Sequence, residues 1–162
     1  MIRTLENGLK LSPSIDGVDC LIFDSNQAEL SINYAKEHGI KRIMISPVHG
    51  YKADSIKPIL PLCDLVNELI IADEKINYDG LGEFHNLTLL GALDNKRDII
   101  VLNNFPNLVT LNCSFTDRLK GLENSVKLKM LTISDYKSKV KDLSALPSLN
   151  NLEHLSLIKT DI

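Results

Sequence analysis

One spacing constrains this chain more than any other feature: an apolar residue, two variable residues, an apolar residue, one variable residue, then another apolar or small residue. It occurs seven times, as Val18-Leu21-Phe23, Ile40-Ile43-Ile45, Val66-Leu69-Ile71, Leu87-Leu90-Ala92, Leu108-Leu111-Cys113, Leu128-Leu131-Ile133 and Leu152-Leu155-Leu157, with starts 22, 26, 21, 21, 20 and 24 residues apart. Periods of this size signal stacked supersecondary units. The second and third apolar positions are two residues apart, so both face one side of a short strand, and the first lies at the turn leading into it. The rest of each unit must carry the chain round to a neighbouring parallel strand, and such crossovers are right-handed. One unit cannot cover its own apolar face, whereas stacked units share a continuous core. The pattern predicts an α/β protein built as a right-handed solenoid with a curved parallel sheet of about seven repeats.

Composition agrees with one such body. A length of 162 residues suits a single core, and no break in composition divides it. Apolar residues at 44% and charged residues at 24% are the balance of a globular protein, while 5% aromatics and no tryptophan point to a core of Leu and Ile. A net charge of −3 offers no clustered positive field for nucleic acid. No apolar run approaches the roughly 18 residues of a spanning helix, so no membrane partner is expected. The first twenty residues alternate polar and apolar types and lack the apolar block of a secretory signal. Three widely spaced cysteines, Cys20, Cys63 and Cys113, do not make a disulfide framework, and a cytoplasmic location is expected.

Ahead of the repeats, Asn7-Gly8 separates two alternating segments, the signature of a hairpin with a type I′ turn. Residues 1–17 are expected to form this hairpin as a cap, and residues 18–162 the repeat domain. Ala28–His38 suits a helix, with Ser25 or Asn26 as its cap and Gly39 as its stop. Later crossovers carry Pro58, Pro61, Pro106 and Pro147, which favour short 3₁₀ turns and extended pieces. Leu143, Leu146, Leu149 and Leu152 recur every third residue, as a tight turn with an inward apolar edge does. A competing reading takes Cys20–Phe23, the helix and Lys41–Ile45 as a βαβ unit of a doubly wound enzyme; the short Pro-bearing crossovers argue against a full helix layer.

The repeated units resemble the leucine-rich repeat family, whose form is LxxLxL at a period of 20–29 residues. Leu152-Glu-His-Leu155-Ser-Leu157 fits the form best, and Leu108-Val-Thr-Leu111-Asn-Cys113 is close to it. The resemblance spans residues 18–162 and implies a curved parallel sheet on the inner side of the coil. It also implies an asparagine three residues after the last apolar strand position, where this chain has Asn26, Val48, Glu74, Asn95, Thr116, Tyr136 and Thr160. Two asparagines in seven sites predict an irregular coil. Small proteins of that family bind other proteins, so the resemblance implies a non-catalytic binding module.

The search for chemistry supports the same expectation. Gly80-Leu81-Gly82 lacks the third glycine of a phosphate loop and reads as a turn. His38, His49, His85 and His154 have no metal-ligand spacing, and no cofactor or metal is expected. Asp16 and Asp19 read as loop acids, and Cys20 as a structural thiol with no activating partner in the sequence. An α/β enzyme would place its site at the strand ends near Asp24 and Ser46.

If the rungs point inward, the residues between them face a partner. The central row reads Ile22, Met44, Ile70, Gly91, Asn112, Thr132 and Ser156; the row before it reads Cys20, Arg42, Glu68, Leu89, Thr110, Met130 and His154. The expected binding surface is the apolar strip of Ile22, Met44 and Ile70, edged by Arg42 and Glu68 and extended by Leu89 and Met130. Asp73, Asp94 and Asp135 recur two residues beyond the last inward position and would form an acidic line suited to a basic partner, as an immunity-type inhibitor of a toxin presents. The sequence stops five residues after Leu157 without a cap. Two expectations follow: weak self-association through that edge, or a piece of a longer repeat adaptor or effector.

Overall fold

A computed structural model describes residues 2–13, 16–93, 95–136 and 141–160. Each apolar pair spaced by two residues falls on a strand, save that Phe23 lies one residue past its own: β3 (Asp19–Ile22), β4 (Arg42–Ile45), β5 (Glu68–Ile71), β6 (Leu89–Ala92), β8 (Thr110–Ser114), β10 (Met130–Ser134) and β11 (His154–Ile158). With β1 (Arg3–Thr4) and β2 (Lys10–Pro13) they form a nine-stranded sheet that runs in chain order. The first three strands pair antiparallel, and every later pairing in the sheet is parallel. The protein is therefore α/β, with a large, mostly parallel sheet and few helices.

Register is where the spacing acts. Leu21, Ile43, Leu69, Leu90, Leu111, Leu131 and Leu155 stand side by side across seven strands. The first six are buried, because each is covered by like residues on both sides. A rung of this kind removes apolar surface from water at about 25 cal/mol per Å². The free edge of β3 is not bare either. Leu9 and Leu11 of the hairpin are buried, so β2 covers the outer edge of β3 and shields what would be an open strand.

The hairpin turn differs from the type I′ form expected. Leu5 N–H donates to Leu9 O (2.8 Å) and Gly8 N–H to Leu5 O (2.9 Å), and of the loop residues only Gly8 has positive φ (+86°). Glu6 joins Asn7 and Gly8 in a three-residue loop, in which a type I turn is followed by a left-handed glycine. The helix α1 (Ala28–Glu37) forms as expected, but its cap is neither Ser25 nor Asn26. Asp24 Oδ1 accepts the Asn26 N–H (2.9 Å) and opens a 3₁₀ turn over Ser25–Gln27 that leads into α1. At the other end Gly39, at φ +62°, lets Ile40 N–H reach back to Ala35 O (2.8 Å), the six-to-one bond of a Schellman stop.

The remaining crossovers are short 3₁₀ turns at Pro47–His49, Lys57–Leu62, Leu81–Glu83, Leu102–Asn104 and Leu122–Asn124. The Leu143–Leu152 segment turns tightly twice, with Leu146 N–H to Leu143 O (2.9 Å) and Leu152 N–H to Leu149 O (3.1 Å), and Leu146, Leu149 and Leu152 pack against the core. Behind the sheet, β7 (Ile100–Val101) pairs parallel with β9 (Leu119–Lys120), and a parallel bridge joins Ser55 to Asn77. This back layer is more aromatic than the composition suggests. Phe23, Tyr51, Tyr78, Phe84, Phe105 and Tyr136 are all buried. The Tyr51 and Tyr136 hydroxyls donate to Ser55 O (2.6 Å) and Asp142 O (2.8 Å), so burying these rings leaves neither of the two hydroxyls unpaired.

Candidate interaction face

Alternation along the strands sends the residues between the rungs to the sheet's outer face. Parallel pairing lines them up as a row of Arg42, Glu68, Leu89, Thr110, Met130 and His154, and a second row of Met44, Ile70, Gly91, Asn112, Thr132 and Ser156.

The N-terminal end of this face is closed. Ile22, expected to start the apolar strip, is 2% exposed, and its neighbour Cys20 is buried as well. Asp16 is drawn onto the same end by Arg42, whose Nη2 and Nη1 donate to Asp16 Oδ2 (2.8 Å) and Oδ1 (3.0 Å), while Nη1 also reaches Val18 O (3.5 Å). Arg42 Nε donates to Glu68 in addition. The guanidinium is thus bridged between two carboxylates with only 12% of its side chain exposed. Its bidentate bond holds the Asp16 carboxyl down at about 2. Burial pushes the Cys20 thiol up to about 11, which makes it a poor nucleophile. Arg42 and Glu68, expected as edging for a partner, are therefore committed to each other and to Asp16. They act as an internal latch across residues 26 apart in the chain.

Beyond the latch the face opens. Met44, Ile70 and Leu89 are half-buried side chains on adjacent strands, and Met130 is 47% exposed. Gly91 sits beside Ile70, where an added Cβ would lie 3.4 Å from Ile70 Cγ2, so the surface flattens between the apolar strip and the polar Asn112 and Thr132.

Members of the expected acidic line also make local bonds. Asp73 Oδ1 accepts the Lys75 N–H (2.6 Å), an Asx turn, and Asp135 pairs with Lys96 (2.8 Å) at φ +54°. Asp94 lies outside the described residues. Asp24 spends both carboxylate oxygens nearby, on the Asn26 N–H and on Gln27 Nε2 (3.2 Å). Ser46 is buried, and its carbonyl accepts His49 and Tyr51 N–H (both 3.0 Å). The two residues proposed for an enzyme site thus build the turns after β3 and β4.

Two polar devices have no counterpart in the motif. Ser114 and Ser134, both buried, donate to the single carbonyl of Leu93, Ser134 at 2.7 Å, with their hydroxyls 3.0 Å apart. Along the sheet's leading rim, Asn86 Nδ2 donates to Asp64 O (3.0 Å), Lys127 Nζ to Asn107 Oδ1 (2.7 Å) and Asn151 Nδ2 to Val126 O (2.6 Å). Asn86, Asn107, Lys127 and Asn151 each precede the first apolar residue of a unit, a signal legible in the sequence. On the back, a recess of about 530 Å³ opens between Asn77–Gly80 and Arg97–Val101. One of its lining charges is answered locally, Arg97 Nη2 donating to Lys75 O (3.2 Å) and Asp98 Oδ2 (3.3 Å). Among the described residues no three metal-ligating side chains converge, and no helix is long and apolar enough to cross a membrane. No family model, curated protein or solved structure matches this chain.

Proposed function

We propose that the chain is a right-handed solenoid of the leucine-rich repeat kind, acting as a non-catalytic module that holds a partner protein on the concave side of its sheet. The observation that carries this is the register. Seven rungs align across the strands, which leaves Met44, Ile70, Leu89 and Met130 on one outward surface over a rigid parallel sheet. Half-exposed aliphatic and thioether side chains on a preorganised face favour protein recognition, since the backbone that carries them is already ordered. An odd number of widely spaced cysteines, Cys20, Cys63 and Cys113, favours a cytoplasmic setting. A basic toxin as partner would need free carboxylates at the rim. Asp135 is neutralised by Lys96, and Asp24 and Asp73 keep their charge but are tied into turns, so the recognition surface is chiefly the apolar strip.

The test compares wild-type protein with Ile70→Arg as baits on host lysate, with bound proteins identified by mass spectrometry. A partner retained by the wild type and lost with Ile70→Arg, at unchanged circular dichroism and melting temperature, supports the proposal. The same proteins retained by both baits, or a variant that unfolds, refutes the assignment of faces.

A further inference from the structure

Strand β11 differs from the other strands of the parallel run. Its rung Leu155 is 38% exposed whereas the matching Leu131 of β10 is buried, and Ile158 is 40% exposed whereas the matching Ser134 is buried. Among the described residues nothing pairs with its outer edge. His154 N–H donates to Lys129 O (3.0 Å), and Ile158 O accepts Asp135 N–H (3.0 Å). By alternation His154, Ser156 and Ile158 spend their backbone groups on β10, and the N–H and C=O of Leu155 and Leu157 point outward. An edge of this kind is a template for another strand.

We propose that it pairs with the same edge of a second copy, antiparallel, about a two-fold axis through Ser156. That axis sets Leu155 opposite Leu157 of the second copy, and Leu157 opposite its Leu155. Both members of each pair carry outward-pointing backbone groups, so each pair exchanges two hydrogen bonds, as a hydrogen-bonded antiparallel pair must. Both also face inward, so the apolar rungs of the two copies join into one core. The same axis brings Glu153, one of whose oxygens accepts from Lys129 Nζ of its own copy (2.7 Å), opposite Lys159 of the second copy, twice, because the contact is isologous. Lys159 leaves the strand at φ +53° and so stands at the rim, where opposite charges across strands are favourable. An axis through Leu155 would instead oppose Leu157 to Glu153, and one through Leu157 would oppose Leu155 to Lys159; each puts a charge into the apolar row. Ser156 is the position that satisfies backbone, core and charge together.

Sedimentation equilibrium over a concentration series is the test. Wild type shows a monomer–dimer equilibrium, and Leu155→Lys stays monomeric with unchanged circular dichroism, since that side chain is already partly in water. Glu153→Lys and Lys159→Glu each weaken self-association by roughly tenfold, the scale of two lost cross-strand charge pairs. An equimolar mixture of these two variants restores dimers, because each lysine of the first then faces a glutamate of the second. Ser156→Cys forms a covalent dimer under mild oxidation, a non-hydrogen-bonded pair having Cα atoms about 4.5 Å apart, while Thr132→Cys does not. Wild type that remains monomeric at its highest soluble concentration overturns the proposal, and so does a mixture that fails to recover.

Discussion

Leu111→Ala and Leu155→Ala remove the same atoms from the same repeat position, and the structure predicts unequal costs. Leu111 is 0% exposed, flanked in register by Leu90 and Leu131. Removing three carbons forfeits about 2.4 kcal/mol of transfer free energy. Incomplete collapse of the space left behind adds roughly 1 kcal/mol, for a total of about 3–4 kcal/mol. Leu155 is 38% exposed and borders solvent on one side, so no closed cavity forms and its transfer share falls to about 1.5 kcal/mol. Urea unfolding followed by circular dichroism reads the difference, at protein concentrations low enough to exclude self-association. With a slope of roughly 2 kcal/mol per molar, Leu111→Ala lowers the midpoint by about 1.5–2 M and Leu155→Ala by less than about 1 M. Equal shifts for the two variants would refute the view that the rungs form one graded interior.

Three other outcomes follow from named contacts. The Asp16 carboxyl has its folded value lowered from 3.8 to about 2, so its stabilising share is complete above the unfolded value and is lost as pH falls from about 4 towards 2; urea midpoints across that window should drop, and Asp16→Asn should flatten this part of the curve. Because Ser114 and Ser134 share the Leu93 carbonyl, either Ser→Ala change alone leaves one donor, while the double variant should cost about 1–3 kcal/mol beyond the sum of the singles in a double-mutant cycle. Burial raises the Cys20 and Cys113 thiols to about 11 and 12, so both should resist a thiol reagent at pH 8 until urea unfolds the chain; rapid labelling of either in the folded state would contradict their placement.

The inward positions are legible in the sequence because burial between parallel strands admits only a narrow set of side chains at a two-residue spacing, and Leu69, Leu90 and Leu111 meet it. The outward positions are harder, since their exposure is decided by segments distant in the chain. Ile22 and Met44 occupy equivalent places in the pattern, yet only Ile22 is fully buried, at the end of the sheet where Arg42 holds Asp16. Nothing within the strand announces a bond across that distance. The start of α1 fails for a local reason: Asp24, Ser25 and Asn26 are all good caps, and choosing among them requires knowing where the 3₁₀ turn begins. At the hairpin, the Asn-Gly pair marks the turn correctly but not its length, because Glu6 is taken into the loop. The serine pair is illegible for a further reason: two buried hydroxyls converging on one carbonyl depend on strand register that no single unit displays.

Among the described residues the sheet's order follows the order of the chain, strand after strand, with only the short back pair β7 and β9 set aside. During synthesis, each new strand therefore emerges beside a neighbour that has already been made. The hairpin precedes the parallel strands and offers them a finished edge, and each later unit has only to close a loop of its own length before docking. Loops so short cost little entropy to close, and no strand waits for a partner at the far end of the molecule. Growth from the amino end, one docking event at a time, keeps at most one apolar edge open to the wrong partner while the chain is being made.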